Sequence, residues 1–251
     1  MEGIASNLGI DLGLFYAIIT ISLILIINVF AFIHSYLFVT GKIRIGKIQG
    51  NPSPDIKYFI KHIPRVLINI ISLMLLSGLG IYFFHDNTIF ASIHIINEET
   101  VLPMVVIAQL AVIFIIDDTF FYFIHRLIHV NKFLYKKIHR IHHEANMPIA
   151  IDYIYAHPIE WMVGYIGPFI GIFLYGGVSI YTFWLYLIIR NLHEIFVHSG
   201  IKSSFFMYKI FPLFANNEHH DIHHSKYECN YASTLTLWDT LFKTRIKYSE
   251  K

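Results

Sequence analysis

Four long apolar stretches constrain this chain more than any other feature of its sequence. They cover residues 12–39, 66–84, 102–124 and 162–189, and the only Asp, Glu, Lys or Arg residues in them are Asp117 and Asp118. A helix needs roughly 20 consecutive apolar residues to span a bilayer. With 55% hydrophobic and only 14% charged residues, the chain has more apolar surface than a water-soluble domain can bury. We therefore predict an all-α integral membrane protein with about four membrane-embedded helical segments, forming one membrane domain over residues 1–251.

The charges of the loops predict how the chain is oriented. The loop after the first stretch is basic and the loop after the second is acidic; the residues are Lys42, Arg44, Lys47, Lys57, Lys61 and Arg65 in the first and Asp86, Glu98 and Glu99 in the second. By the positive-inside rule the first loop is cytoplasmic, so the N-terminus lies outside and the third helix returns the chain to the cytoplasm. The formal net charge of only +2 argues against a nucleic-acid partner and favours partners among lipids and membrane proteins.

Histidine is concentrated in the second half of the chain. Twelve of the sixteen histidines lie between positions 125 and 224, where an even spread would place about six. Most of them form three clusters: His125 and His129; His139, His142 and His143; and His219, His220, His223 and His224. We predict that the second cluster lies on an amphipathic helix.

The spacing within these clusters indicates metal binding. The first cluster has i, i+4 spacing, which places two imidazoles on one helical face. The second has i, i+3, i+4 spacing, and His220, His223 and His224 repeat it. The pair and the two triplets supply eight imidazoles, which is too many for one ion, so the sequence predicts two metals.

The fourth apolar stretch has two interpretations. It contains Pro168 and is interrupted near its middle by Gly176 and Gly177. As one helix it would cross the membrane, whereas as two halves of about 14 residues it would enter the bilayer and return on the same side. Histidine clusters on both sides of it can form one site only in the second case. We therefore predict a hairpin, followed by a histidine-rich helical cap on the cytoplasmic face that includes the basic residues Lys202 and Lys209.

The type of ligand does not identify the metal, because imidazole suits iron, copper, nickel and zinc. The H-E-x-x-H pattern of zinc proteases is absent, since the segment His193-Glu-Ile-Phe-Val-His198 is one residue too long. The ligands of a metal transporter should lie at bilayer depth, whereas these clusters lie beyond the ends of the apolar stretches. Two redox-active irons beside the bilayer suit dioxygen activation followed by attack on an unactivated carbon–hydrogen bond.

Several segments in order resemble the membrane fatty acid hydroxylase and sterol desaturase superfamily, most closely its sterol 4-methyl oxidase branch. The similar segments are Asp118-Thr-Phe-Phe-Tyr-Phe-Ile-His-Arg-Leu-Ile-His129, Tyr155-Ala-His-Pro-Ile-Glu160, His198-Ser-Gly200, His219-His-Asp-Ile-His-His224, Asn230-Tyr-Ala-Ser233 and Trp238-Asp239. The resemblance implies a catalytic region over residues 105–251, preceded by transmembrane helices over residues 1–104. It also implies a non-haem di-iron centre, dioxygen as the oxidant and a lipid substrate. Electrons would come from a reduced nicotinamide cofactor through a cytochrome b-type or ferredoxin-type protein with its reductase.

The resemblance also implies roles for individual residues. The metal ligands would be His125, His129, His139, His142, His143, His198, His220, His223 and His224. Glu194 and His219 would bind metal or orient a ligand. Carboxylates and carbonyls usually accept the second N–H of a metal-binding imidazole. Asp118, Glu160 and Asp221 are expected in this supporting role, and His157 is also expected next to the ligands. Pro158 also predicts a helix start at His157. The remaining histidines, His34, His62, His85, His94 and His193, are expected to be interfacial or loop residues.

Three departures from the sterol oxidase branch leave the substrate open. Ile201 follows His198-Ser-Gly where that branch has tyrosine, Asn216-Asn-Glu218 precedes the last cluster, and the tail lacks a dilysine pattern. A fatty acyl, alkylglycerol or carotenoid hydroxylase or desaturase therefore remains an alternative. A non-enzymatic metal-binding membrane protein is a second alternative, which would bind metal, including zinc, without consuming dioxygen.

Overall fold

The computed structural model describes residues 1–43, 46–48, 53–85, 96–97, 102–203 and 213–247. The loop residues Arg44, Asp86, Glu98, Glu99 and Lys209 and the histidine His94 lie outside this part of the chain. The α-helices are α1 (Glu2–Leu8), α2 (Leu12–Val39), α3 (Ile56–Phe84), α4 (Pro103–Val130), α5 (Lys132–Lys137), α6 (Pro158–Gly164), α7 (Ile166–Tyr175), α8 (Ile180–Val197), α9 (Asn217–Lys226) and α10 (Leu237–Leu241). Two short 3₁₀ helices cover His139–Glu144 and Ala150–Ile154, and strands β1 (Ile96–Asn97) and β2 (Val178–Ser179) pair in parallel.

Four helical segments are long and apolar enough to cross a membrane: Leu12–Val39, Ile56–Phe83, Pro103–Val130 and Pro158–Tyr175. Their outward faces carry exposed aliphatic side chains, such as Ile26, Ile68 and Met104, which are 60–81% exposed. Large exposed apolar faces on long helices suit contact with lipid acyl chains. The prediction of a mainly helical integral membrane protein is therefore confirmed.

Helix boundaries differ from the predicted stretches where polar residues extend a helix beyond its apolar part. Helix α3 begins ten residues earlier than predicted because Asp55 caps it, accepting a hydrogen bond from the Tyr58 backbone N–H at 2.9 Å. Helix α4 continues past the predicted end at Ile124 to Val130 and so carries the first histidine cluster. A continuous apolar stretch in the sequence therefore identifies the part of a helix that suits the bilayer, but it does not include the polar ends of that helix.

The fourth stretch folds as a hairpin, with longer arms than predicted. Its first arm is α6 and α7, and its second arm is α8. Gly176 and Gly177 lie between the arms with φ values of 89° and 106°, a left-handed conformation that glycine adopts without steric cost. Glu160 at the start of the hairpin and His198 at its end line the same cavity, so the chain returns to the side it left.

The helices pack as two pairs that support one polar end of the molecule. Helix α2 packs against α3, and α4 packs against α7. The second pair approaches closely at Gly171, where an added Cβ atom would lie 2.9 Å from the Cα of Ile113. Helix α8 contacts both pairs and ends beside the histidine clusters.

Candidate metal centre

Nine buried or half-buried histidines form two separate groups at one end of the helices. The first group contains five residues, His125, His129, His139, His143 and His223, and the second contains four, His142, His198, His220 and His224. Within each group, one ring nitrogen from every residue lies within 4.8 Å of all the others. Nitrogens 2.1 Å from one metal ion lie about 3.0 Å apart at a right angle and about 4.2 Å apart when opposite. Each group therefore has the dimensions of a single metal site.

The two groups do not follow the sequence clusters. His139 and His143 belong to the first group, whereas His142, which lies between them, belongs to the second. Likewise His220 and His224 belong to the second group, and His223 crosses to the first. The residue at i+3 in each triplet thus points to the other group, so both triplets contribute to both sites.

The second cluster forms a 3₁₀ helix over His139–Glu144, not the amphipathic α-helix that we predicted. This helix is short: it ends at Glu144, four residues before Pro148, and its imidazoles contact groups from other segments. His139 Nδ1 lies 2.9 Å from Glu160 Oε1, and His142 Nδ1 lies 3.1 Å from the carbonyl oxygen of Tyr155. Tertiary contacts therefore take the place of a regular helix here.

Backbone carbonyls fix the orientation of four imidazoles. The Nδ1 atoms of His125, His142, His198 and His223 lie 2.7–3.1 Å from the carbonyl oxygens of Tyr231, Tyr155, Glu194 and Cys229, in that order. A carbonyl can only accept a hydrogen bond, so each of these rings carries its hydrogen on Nδ1 and presents an unprotonated Nε2 to its group. This tautomer is the one that binds a metal through Nε2.

The contacts between imidazoles fit a bound cation. The Nε2 atoms of His125 and His139 are 3.1 Å apart; the Nδ1 atom of His125 hydrogen-bonds to the Tyr231 carbonyl, and that of His139 lies 2.9 Å from Glu160 Oε1. Two unprotonated nitrogens at this distance repel each other unless a cation lies between them. The buried Nε2 of His223 makes no hydrogen bond within the described residues. The residues present therefore fit a metal ion in the first group.

The electrostatics of the groups also favour metal binding. Burial, together with the neighbouring His198, lowers the pKa of His142 to about 3. Burial and adjacent imidazoles hold the pKa values of His139, His220, His223 and His224 well below the usual value for histidine. These side chains are neutral at pH 7, which is the form that ligates a metal.

The other residues expected at the site have different positions. Glu160 contacts the His139 imidazole as described above, whereas Asp118 accepts hydrogen bonds from the backbone N–H groups of Thr234 and Leu235, both at 2.9 Å. Asp118 thus ties α4 to the segment before α10, and the supporting role on an imidazole that we expected is replaced by one on the backbone. His157 caps α6 by accepting a hydrogen bond from the Ile159 N–H at 3.2 Å, as Pro158 indicated. Asp221 lies half-buried on α9.

Glu194 and His219 lie beside the two groups and belong to neither. The carboxylate of Glu194 pairs with Arg190 and accepts a hydrogen bond from Ser233, and it lies 3.8 Å from the Nδ1 atom of His198. His219 Nε2 lies 3.2 Å from Asp239 Oδ2.

Sequence reasoning missed Asp239 as a residue of the site. Its carboxylate accepts hydrogen bonds from the backbone N–H groups of Tyr231 and Ala232 at 2.9 Å and from the Thr244 hydroxyl at 2.6 Å. Burial opposes ionisation, but the hydrogen bonds from His219 and Thr244 outweigh it and hold the pKa of Asp239 below its usual value. Asp239 therefore fixes the loop whose Tyr231 carbonyl orients His125. The Trp238-Asp239 motif was the available signal.

His62 was also misjudged, because we expected an interfacial residue. It is 1% exposed, and its Nδ1 lies 2.7 Å from Asp152 Oδ1. Its ring stacks on Tyr155 with centroids 4.0 Å apart. His62 therefore supports the segment whose carbonyl orients His142. A lone histidine gives no sequence signal for this role.

Comparison with known proteins agrees with this geometry. Residues 110–244 match the sequence profile described as "Fatty acid hydroxylase". The chain is similar to methylsterol monooxygenase 1 of Rattus norvegicus, at 41% identity over 53% of this chain and 45% of that protein. It is also similar to a methylsterol monooxygenase of Aspergillus fumigatus, at 32% identity over 81% of this chain and 69% of that protein.

A third relative is named for a different activity. A very-long-chain aldehyde decarbonylase of Oryza sativa is 40% identical over 55% of this chain and 46% of that protein. The matched part of the chain thus spans about half the length of two of these three relatives. No solved structure matches. The profile covers more than half of the chain, including all nine histidines of the two groups, and the chain therefore belongs to the fatty acid hydroxylase family.

Proposed function

We propose that this chain is a membrane oxygenase that uses two non-haem irons and dioxygen to hydroxylate a lipid, with a sterol methyl group as the favoured target. The observation that carries the proposal is the pair of all-histidine groups beside a cavity in a membrane protein. Two relatives are methylsterol monooxygenases, which supports a sterol as the substrate.

The chain's own residues would hold the metals and position the substrate. One iron would bind to the group of His125, and the other to the group of His142. Bound iron would supply activation of dioxygen and oxidation of an unactivated carbon–hydrogen bond. Backbone carbonyls on Nδ1 would keep the ligand rings in the correct tautomer, and the cavity beside both groups would receive the part of the lipid that is oxidised.

The remaining parts of the proposal concern partners and orientation. Residues 105–251 form the catalytic region, and residues 1–104 form the supporting transmembrane helices. The clusters face the cytoplasm, where a soluble or membrane-bound electron carrier passes electrons from a reduced nicotinamide cofactor. The basic loop residues support this orientation.

Lipid mass spectrometry of membranes that express the chain tests the proposal. The host should contain both sterols and acyl lipids, with iron loading and a competent electron donor verified. We expect an oxygenated lipid with the intact chain and none with His142→Ala or His223→Ala, because each substitution removes one nitrogen ligand. His85→Ala is the matched control, because His85 belongs to neither group, and its product should equal that of the intact chain.

The identity of the product discriminates between reactions. A sterol with an oxidised methyl group supports the proposal, and an oxidised or desaturated acyl lipid would move the substrate to that class. A hydrocarbon one carbon shorter than an added aldehyde would favour the reaction named for the rice relative. Metal binding with no product under these conditions would contradict the assignment as an oxygenase.

A further inference from the structure

Two cavities adjoin beside the metal groups. The inner cavity is lined by imidazoles of both groups, among them His125, His142 and His220. The outer cavity is larger and is lined mainly by apolar side chains of α2, α3, α7 and α8: Ile24, Leu73, Leu76, Phe169, Phe183 and Leu187. Six residues line both cavities and form what we call the neck: Trp161, Tyr165, Pro168, Tyr186, Arg190 and Asn191.

The outer cavity faces the region that lipid would occupy. Leu76, Met162 and Phe169 line it and are 45–49% exposed. They lie on segments that are long and apolar enough to cross a membrane. Because α3 packs on α2 and α7 packs on α4, the cavity lies between the two helix pairs. An apolar cavity in this position admits a hydrophobic molecule directly from the bilayer.

The uncharged polar groups of the neck suit a hydroxyl group. The Tyr165 hydroxyl donates a hydrogen bond to Asn191 Oδ1 at 2.9 Å. Trp161 is 8% exposed, and its Nε1–H group is buried without a hydrogen-bond partner within the described residues. An unpaired buried donor costs about 1–3 kcal/mol, so a ligand oxygen that accepts this hydrogen bond would bind favourably.

The charges of the neck disfavour a carboxylate. Arg190 Nε donates to Asp117 Oδ2 at 2.9 Å, and the same guanidinium pairs with Glu194. The Tyr186 hydroxyl donates to Asp117 Oδ2 at 2.7 Å. Arg190 is therefore already paired with two carboxylates of the chain. A free fatty acid would have to compete with Asp117 and Glu194 for this guanidinium, whereas a neutral alcohol would not.

We propose that the outer cavity binds the apolar body of a lipid alcohol and that the neck holds its hydroxyl group, with Trp161 Nε1–H as a donor. The proposal deepens the proposed function and rests on it for the reaction. Because the neck also lines the inner cavity, the carbon nearest the hydroxyl group is the one that faces the metal groups. A sterol with a methyl group next to its hydroxyl-bearing carbon fits this arrangement, whereas a free fatty acid does not.

Photo-crosslinking of the purified, metal-loaded full chain tests the proposal without requiring turnover. The probes are a diazirine-bearing methylsterol, its methyl ether, a diazirine-bearing hexadecanol and the corresponding hexadecanoic acid. We expect labelling of peptides from α3, α7 or α8, at least tenfold stronger for each alcohol than for its matched ether or acid. Equal labelling by the acid and the alcohol would overturn the assignment of the neck.

Two variants assign the site to residues. Leu76→Trp should fill the outer cavity and reduce labelling at least fivefold, whereas Leu75→Trp, on the neighbouring exposed position of α3, should stay within twofold of the intact chain. Trp161→Phe should reduce the preference for sterol over methyl ether at least fivefold. This milder change keeps the test valid if Leu76→Trp does not fold. Metal content, measured for every variant, separates a blocked cavity from a misfolded chain.

The outcomes separate this inference from the proposed function. Undiminished labelling and preference in Leu76→Trp and Trp161→Phe, with normal metal content, would overturn the inference even if the lipid product forms. The expected labelling pattern without any oxygenated product would contradict the proposed function and leave the binding site standing.

Discussion

At the residue scale, the protonation of each imidazole decides whether it can hold a metal. The histidines of the two groups outside the membrane-spanning segments have pKa values below the usual value of about 6.5, and burial is the main cause. In the unfolded chain the same side chains regain their usual pKa. At any pH between the lowered pKa of the folded chain and the usual pKa of the unfolded chain, the folded state thus binds fewer protons than the unfolded state.

This difference predicts a specific pH dependence of stability. The contribution from neutral imidazoles is fully present above pH 6.5 and is lost as the pH falls, because the unfolded chain gains protons first. For His142, with a folded pKa of about 3, the loss extends from about pH 6.5 to pH 3. It amounts to at most about 1.4 kcal/mol per pH unit for each such histidine.

Thermal unfolding of the chelator-treated protein in detergent, from pH 8 to pH 5, measures this loss. We expect a constant unfolding temperature above pH 7 and a steep fall below pH 6.5. His142→Gln removes one of these titrating groups and should make the fall shallower. An unfolding temperature that rises towards pH 5 would contradict the prediction.

At the scale of the elements, α3 supports an imidazole of the second group although none of its own residues belongs to either group. Asn69 of α3 donates hydrogen bonds from Nδ2 to the carbonyl oxygens of Ile154 and Ala156, at 2.8 and 2.9 Å. Between these two residues lies Tyr155, whose carbonyl orients His142. A helix outside the matched family region thus supports one imidazole of the second group.

Asn69→Leu therefore should affect both stability and the second metal group. It leaves two buried carbonyls without their donor, at a cost of about 3 kcal/mol in the free energy of unfolding. We expect a lower unfolding temperature and a lower metal content, measured by elemental analysis. Ser72→Ala is the control on the same helix, because the exposed Ser72 hydroxyl bonds only to the Ile68 carbonyl of its own helix. Equal metal content in both variants would show that α3 does not position His142.

The close approach of α4 and α7 makes a second prediction at this scale. A Cβ atom at Gly171 would lie 2.9 Å from the Cα of Ile113, where neither backbone can move without shifting a helix. Gly171→Ala should lower the free energy of unfolding by about 1–3 kcal/mol. Gly80→Ala in α3 is the matched control, since nothing lies within 4 Å of its added Cβ, and it should be neutral or slightly stabilising. Equal unfolding temperatures for the two variants would argue against close packing at Gly171.

At the scale of the whole molecule, the proposed orientation can be tested with the chain's single cysteine. Cys229 is 3% exposed, and it hydrogen-bonds to His223 through its backbone carbonyl. Cys229→Ala keeps that carbonyl and should therefore preserve the fold. In that background we expect Lys136→Cys to react with a membrane-impermeant maleimide only from the cytoplasmic side, and Glu2→Cys only from the other side. Both positions are exposed.

Labelling of sealed and inverted vesicles distinguishes the two sides. The Cys229→Ala chain without an added cysteine should show no labelling from either side. Reaction of both introduced cysteines from the same side would contradict the orientation predicted from the loop charges.

The linear sequence determines the features that depend on local composition and spacing. The apolar stretches predict a helical membrane protein, Gly176-Gly177 marks the interruption of the fourth stretch, and the repeated histidine spacing predicts ligands for two metals. These signals are readable because each arises among residues close together in the chain. The ends of the helices are predicted less accurately, because Asp55, which caps α3, and the polar end of α4 lie outside the apolar stretches.

The tertiary structure alone decided how the histidines divide and what supports them. His142 and His223 each leave their own triplet for the other group, because carbonyls of Tyr155 and Cys229 fix their rings. His62 lies 90 positions from its partner Asp152, and Asp118 lies 116 from Thr234. No local pattern encodes such pairs, since their contacts exist only after the helices pack and buried polar groups find partners.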